Sequence, residues 1–136
     1  MASSVAPPET LATDLRNVLR GNVADEEVEA AATKLPTLAP CYPAYGRLSG
    51  PEIEIVIDGG KTFRGDAAFA GSDGPGQVCT SDVDTLYSNT VSFAITTTPV
   101  YTAVYFFDDR SSLLGYFLAG SLSPLGGSGG GKGHWS

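Results

Sequence analysis

An all-β core preceded by a helical arm is the architecture this chain predicts, and three observations point to it. Residues 89–98 alternate Val91, Phe93 and Ile95 against Ser92, Ala94 and Thr96, the period-two pattern of a strand with one buried face. Residues 100–107 are apolar on both faces, with Val100, Val104 and Phe106 on one side and Tyr101, Ala103, Tyr105 and Phe107 on the other. Polar, turn-prone Asp108-Asp109-Arg110-Ser111 then sends residues 112–122 back antiparallel. Such a meander needs partners for its edges and a cover for its second apolar face.

In chain order, residues 1–8 are small and polar with two prolines and are expected to be loosely attached. Leu11, Leu15, Val18 and Leu19 then fall on one helical face, with Glu9 and Asp14 early, Arg16 and Arg20 late, and Gly21 as the stop. A second helix is expected over 24–34, acidic at its start, with a smaller apolar face of Val28, Ala31, Ala32 and Leu35. Pro36 stops it.

Three prolines within 36–43 read as an extended connector, so the chain divides into an arm, 1–36, and a β domain, 37–136. Strands are expected at 44–48, at 52–57 and, after the tight turn Asp58-Gly59-Gly60-Lys61, at 62–69. Residues 71–76 read as a loop and 77–80 as a short fourth strand. A helix follows from Ser81 or Asp82, capped by Ser81 or Thr80, with Val83 and Leu86 tucked beneath. The glycine-rich residues 126–136 read either as a flexible linker or as a strand that other groups approach closely, and a terminal Trp135 suits the latter. Strands of this number and length can curl until their outer edges meet.

Composition excludes several function classes. Eight Lys plus Arg against 15 Asp plus Glu leave a net charge of −7, which opposes phosphate backbones and anionic lipid, so nucleic acid is not an expected partner. No run approaches the ~20 apolar residues of a membrane helix, so a soluble chain is expected. The N-terminus lacks the basic and apolar regions of a secretory signal, which suggests a cytoplasmic place. Cys41 and Cys79 match no zinc spacing and read as buried thiols rather than a bridge.

Candidate chemistry is sparse. His134 is the single histidine and reads as a solvent-facing residue near the chain end. Glu52 and Glu54 share a strand face roughly 7 Å apart, a spacing for acid–base work if buried, but they read as solvated outer-face residues. The loop aspartates lack calcium-loop spacing, and Gly59-Gly60-Lys61-Thr62 is not a phosphate loop, so neither a metal nor a cofactor is expected. The aromatics are more informative: one set fills the barrel, the other forms an outer apolar patch. Tyr105, Phe107, Tyr116 and Phe117 are the candidates for that surface, with Leu15 and Leu19 of the arm covering it within the chain or in a homodimer.

The segment Gly60-Lys61-Thr62-Phe63-Arg64-Gly65-Asp66, followed by Thr80-Ser81-Asp82, Leu86-Tyr87 and Thr90-Val91-Ser92-Phe93, resembles the virulence-associated protein (Vap) family of pathogenic actinobacteria. The resemblance continues through Phe106-Phe107-Asp108, Leu114-Gly115, Ala119-Gly120 and the glycine-rich end at Trp135-Ser136, and spans about residues 45–136. It implies a compact, closed, eight-stranded antiparallel barrel with one short helix between its four-strand halves, the glycine-rich end being the closing strand. It also implies secreted host-modulating factors without a catalytic site to carry over. The helical arm, the two cysteines and the absent signal set this chain apart from the pattern.

The expected function is therefore that of a non-enzymatic, effector-type interaction protein. Its partner would be a protein, a lipid or an apolar small molecule. The alternative is a small barrel enzyme or carrier, of cyclase or isomerase type, for an apolar metabolite; its pocket groups would come from Tyr101, Tyr105, Tyr116, Glu54 and Asp66. A filled interior separates the first expectation from the second. A third expectation makes the arm itself the recognition element, docking into a partner's groove.

Overall fold

A computed structural model describes residues 8–19, 24–48, 52–66, 71–122 and 127–136. The expectations for residues 1–7, for Gly21 and for residues 67–70 lie outside that set. Two helices come first, α1 (Pro8–Leu19) and α2 (Asp25–Lys34), then a single 3-10 turn at Leu35–Thr37. Eight strands follow: β1 (Cys41–Arg47), β2 (Ile53–Ile57), β3 (Thr62–Gly65), β4 (Asp73–Thr80), β5 (Ser92–Thr97), β6 (Tyr101–Phe107), β7 (Leu113–Gly120) and β8 (Gly127–Trp135). The helix α3 (Val83–Asn89) stands between β4 and β5. All strand pairs are antiparallel, and the sheet closes in the order β1-β2-β3-β8-β5-β6-β7-β4. Closure leaves no edge to pair with another chain.

The alternation of side chains sorts residues into two cores. Ile53, Ile55 and Ile57 of β2, Phe63 of β3, Phe93 and Ile95 of β5, and Val104 and Phe106 of β6 point inward. A β-bulge where Phe106 pairs with Gly115 and Phe107 with Leu113 leaves Leu114 as the extra residue and turns it inward as well. Leu86 of α3 plugs one end of the barrel, and Leu48 and Leu122, which follow β1 and β7, plug the other. The second core lies outside, where Leu11, Leu15, Leu19, Val28, Ala31 and Leu35 of the arm cover Ala94, Tyr101, Ala103, Tyr105, Phe107, Leu113 and Leu118. The doubly apolar β6 is thus explained: one face fills the barrel, the other seats the arm.

The glycines of β8 follow from the aromatic filling. Trp135, Gly133, Gly131 and Gly129 pair with the inward residues Phe63, Gly65, Phe93 and Ile95. A Cβ at Gly133 would run into the Phe63 ring, and one at Gly65 would sit 2.7 Å from Phe93 Cε1. Only glycine leaves room there for the rings.

Strand limits depart from the sequence expectations in three places. β4 begins at Asp73, not at Gln77, so Gly74-Pro75-Gly76 is strand rather than loop. Pro75 is tolerated because the ladder to β7 starts at Gly76, so no strand on that side needs its missing N–H. β1 begins at Cys41, ahead of the predicted start, because Pro43 likewise precedes the β2 ladder, which starts at Ala44. β3 ends at Gly65. The cap of α3 is Asp82 rather than Ser81 or Thr80: its carboxylate accepts from the amides of Asp84 (3.1 Å) and Thr85 (3.2 Å). Those bonds hold its pKa below the ordinary range. Thr80 is engaged elsewhere, its hydroxyl donating to the Leu114 carbonyl at 2.8 Å.

Cys41 and Cys79, expected as separate buried thiols, are bonded to each other with S–S 2.00 Å, and Cys41 is exposed. A separation of 38 residues says nothing about pairing; the β1–β4 register, which sets Cys41 opposite Cys79, decides it.

Candidate functional site

A ligand pocket inside the barrel would need empty volume, and aromatic rings take that volume up. Phe63 is the hub: its ring centroid lies 4.8 Å from Phe106, 5.5 Å from Trp135 and 5.6 Å from Phe93. Trp135 also packs on Phe106 at 5.3 Å and on Tyr87 of α3 at 5.4 Å. Centroid spacings of this size are direct ring contact and leave no gap for a substrate between the rings. With Ile53, Ile55, Ile95, Val104 and Phe117 all fully buried around them, the described residues of the interior form a packed core.

The polar groups considered for a pocket do not converge. Glu54 on β2 and Asp66 after β3 belong to one wall; Tyr101 and Tyr105 on β6 and Tyr116 on β7 belong to the opposite one, since β2 and β6 are four places apart in the eight-strand ring. Tyr101 and Tyr105 are buried under the arm. The Tyr105 hydroxyl donates to the Leu11 carbonyl of α1 at 3.3 Å, and burial, with Asp14 and Tyr116 adding, holds that hydroxyl protonated far above the ordinary phenol range. Burial also raises the pKa values of Tyr116 and Asp14. Among the described residues, no group of three or more His, Cys, Asp or Glu could hold a metal ion.

Of the surface candidates, Tyr105, Phe107, Leu15 and Leu19 meet one another in the arm-covered core, Tyr116 sits half-buried at its margin, and Phe117 points into the barrel. The covered wall is therefore β4, β7, β6 and β5. The other wall, β1, β2, β3 and β8, faces solvent and carries a cross-strand row of charge that single-strand reasoning missed. Arg47 pairs with Glu54, Glu54 with Arg64 and Arg64 with His134 in adjacent strands. Arg64 Nε lies 3.1 Å from the Glu54 carboxylate and 3.5 Å from that of Glu52, and Arg47 completes the row at 3.9 Å from Glu54. The signal was present as outward parity in each strand, but the rows align only once register is known. Exposed Tyr45 stands on the same wall, opposite Pro75 of β4.

Two open clefts flank the β6–β7 turn, where Asp108 Oδ1 accepts from the amides of Arg110 and Ser112, both at 2.9 Å. One, of about 410 Å³, is lined by Ser88, Asn89, Val91, Asp108, Asp109 and Arg110. The other, of about 200 Å³, lies between α2 and the turn, with Lys34 and Arg110 on its rim. No helix among the described residues is long and apolar enough to cross a membrane.

Comparison with known proteins agrees with this architecture. The family model described as Rhodococcus equi virulence-associated protein matches residues 3–136. The structure of virulence-associated protein VapB from the intracellular pathogen Rhodococcus equi is similar with a TM-score of 0.63 and 31% identity, over 71% of this chain and 96% of that one. That of virulence-associated protein VapD from the same organism is similar with a TM-score of 0.63 and 32% identity, over 71% of this chain and 97% of its own. No curated protein sequence matches the chain.

Proposed function

The chain belongs to the Rhodococcus equi virulence-associated protein family, and from that premise we propose that it is a non-enzymatic interaction protein, an effector that works through the outside of its barrel. One observation carries this reading: rings at contact spacing fill the interior, so the barrel offers a partner its walls and not a chamber. The scatter of Tyr101, Tyr105, Tyr116, Glu54 and Asp66 over opposite walls argues the same way against an enzyme or carrier for an apolar metabolite. Its relatives come from an intracellular pathogen, which suits a role in contact with a host cell. The Cys41–Cys79 bridge supports action outside a reducing cytosol.

The test compares outer-wall and interior variants in a single assay. Labelled chain is bound to host-cell material, and the double variant Arg47→Ala/Arg64→Ala is expected to lower the bound label several-fold while Ile55→Val leaves it unchanged. Thermal melting with fatty acids, sterols and terpenoids should show no rise in Tm. A one-to-one ligand that raises Tm by several degrees, or binding that follows the interior variant, would refute the reading.

A further inference from the structure

We propose that the outer face of β4, β7, β6 and β5 is a docking surface for an amphipathic helix presented by a partner, and that the chain's own arm is the cover that keeps it closed. This rests on the surface-acting reading above and names the surface.

The two cores are separate. The barrel's interior cluster starts at Ala44 and contains no arm residue, whereas the arm's leucines pack onto outward side chains. An arm that adds nothing to the interior can leave without opening the barrel. VapB and VapD match 71% of this chain over 96% and 97% of their own lengths, about the share that β1 to β8 occupies, so those two solved chains are barrel-sized, while the family model itself takes in the arm.

What the arm covers is apolar and aromatic: Tyr101, Ala103, Tyr105, Phe107 and Leu118. Uncovered, a patch of that composition has the character of a binding surface with ring anchors. The arm is also an imperfect occupant. Tyr101 Oη and Thr96 Oγ1, both on this face, are buried without a hydrogen-bond partner, and burial disfavours the carboxylate of Asp14, whose charge acts on Tyr105. Each of these weakens the arm's hold.

The arm itself indicates the chemistry of the partner. The face accepts leucines spaced four residues apart, Leu11, Leu15 and Leu19, and Tyr105 donates to a helix carbonyl. A helix with the same leucine spacing, and with acceptors facing Tyr101 and Thr96, satisfies what α1 leaves unpaired. That advantage lets a helix in trans compete with one that is tethered.

The experiment uses the full chain and, as probe, a fluorescent synthetic peptide of residues 8–38. Leu15→Asp places a charge in the arm's buried seam without touching the barrel interior. The expected result is that Leu15→Asp keeps the barrel's Trp135 fluorescence and cooperative melting, and binds the peptide at least about tenfold more tightly than wild type, whose face is occupied. Adding Ala103→Arg, which blocks the face from the β6 side, is expected to abolish the gain. The proposal is overturned if Leu15→Asp unfolds the barrel, if the peptide binds both chains alike, or if Ala103→Arg changes nothing. Peptide docking as expected with no change in host-cell binding leaves the docking surface standing and counts against the effector reading instead.

Discussion

Replacing Gly133 by alanine tests the closure of the barrel at its most crowded point. A Cβ there would run into the Phe63 ring and lie 2.7 Å from the Arg64 carbonyl oxygen. The ring belongs to the packed hub of the interior, and the carbonyl is backbone of the neighbouring strand, so neither gives way cheaply. Overpacking of this kind costs roughly 1–3 kcal/mol. The restricted unfolded chain of an alanine offsets about 0.4–1 kcal/mol of that. For a chain of this length each kcal/mol is worth roughly 3–4 °C, so with the middle of each range Gly133→Ala should melt about 5 °C below wild type. Gly127, at the other end of the same strand, is the internal control: its added Cβ would meet only Thr97 Oγ1, at 3.9 Å. Gly127→Ala should be neutral or slightly stabilising. Thermal and urea denaturation followed by circular dichroism reads both. Equal melting of the two variants would refute the argument, because it would mean that residues 127–135 do not close the barrel against β3.

Loss of the Cys41–Cys79 bridge in a Cys41→Ser/Cys79→Ser variant should cost roughly 2–4 kcal/mol in urea unfolding, from the freedom returned to a 38-residue loop; thiol titration of the untreated chain should find no free thiol. Arg64→Ala, which removes the two ion pairs at the centre of the exposed charge row, should change stability by no more than about 1 kcal/mol, and the difference should shrink in high salt. The sign for Tyr105 is fixed by its raised pKa: the neutral hydroxyl is favoured in the folded chain, so its contribution is whole below the ordinary value of 10.0 and is lost as pH rises beyond it. Tyr105→Phe should therefore be less stable than wild type at neutral pH, having lost the bond to Leu11, yet fall less steeply in alkali when Tm is followed with pH.

Much of the fold was legible because period-two and helical patterns are local properties. The inward set Phe93, Ile95, Val104 and Phe106 and the opposite set Tyr101, Ala103, Tyr105 and Phe107 were separable by parity alone, and the structure keeps that division. The arm's leucine face was equally plain, as was the tight turn in which Gly59 takes φ 74°. Gly74-Pro75-Gly76 was not, since those residues signal a loop wherever no neighbour supplies packing. Here the Phe117 ring and Leu122 fill the space beside them, which makes glycine suitable in a strand.

For the candidate site, composition alone determined that no histidine-based mechanism was well supplied and that some apolar surface would need a cover. Which surface, and by what, was a matter of register. One-residue precision in the pairing of β1 with β4 brings Cys41 to Cys79, and the same precision lines up Arg47, Glu54, Arg64 and His134 across four strands. Register is set by the sum of contacts along whole ladders between segments far apart in the chain. The sequence by itself thus determined the strands, their two faces and the amphipathic arm; only the tertiary structure decided that Phe117 turns inward, and that the arm lies on one wall while the charged wall stays open.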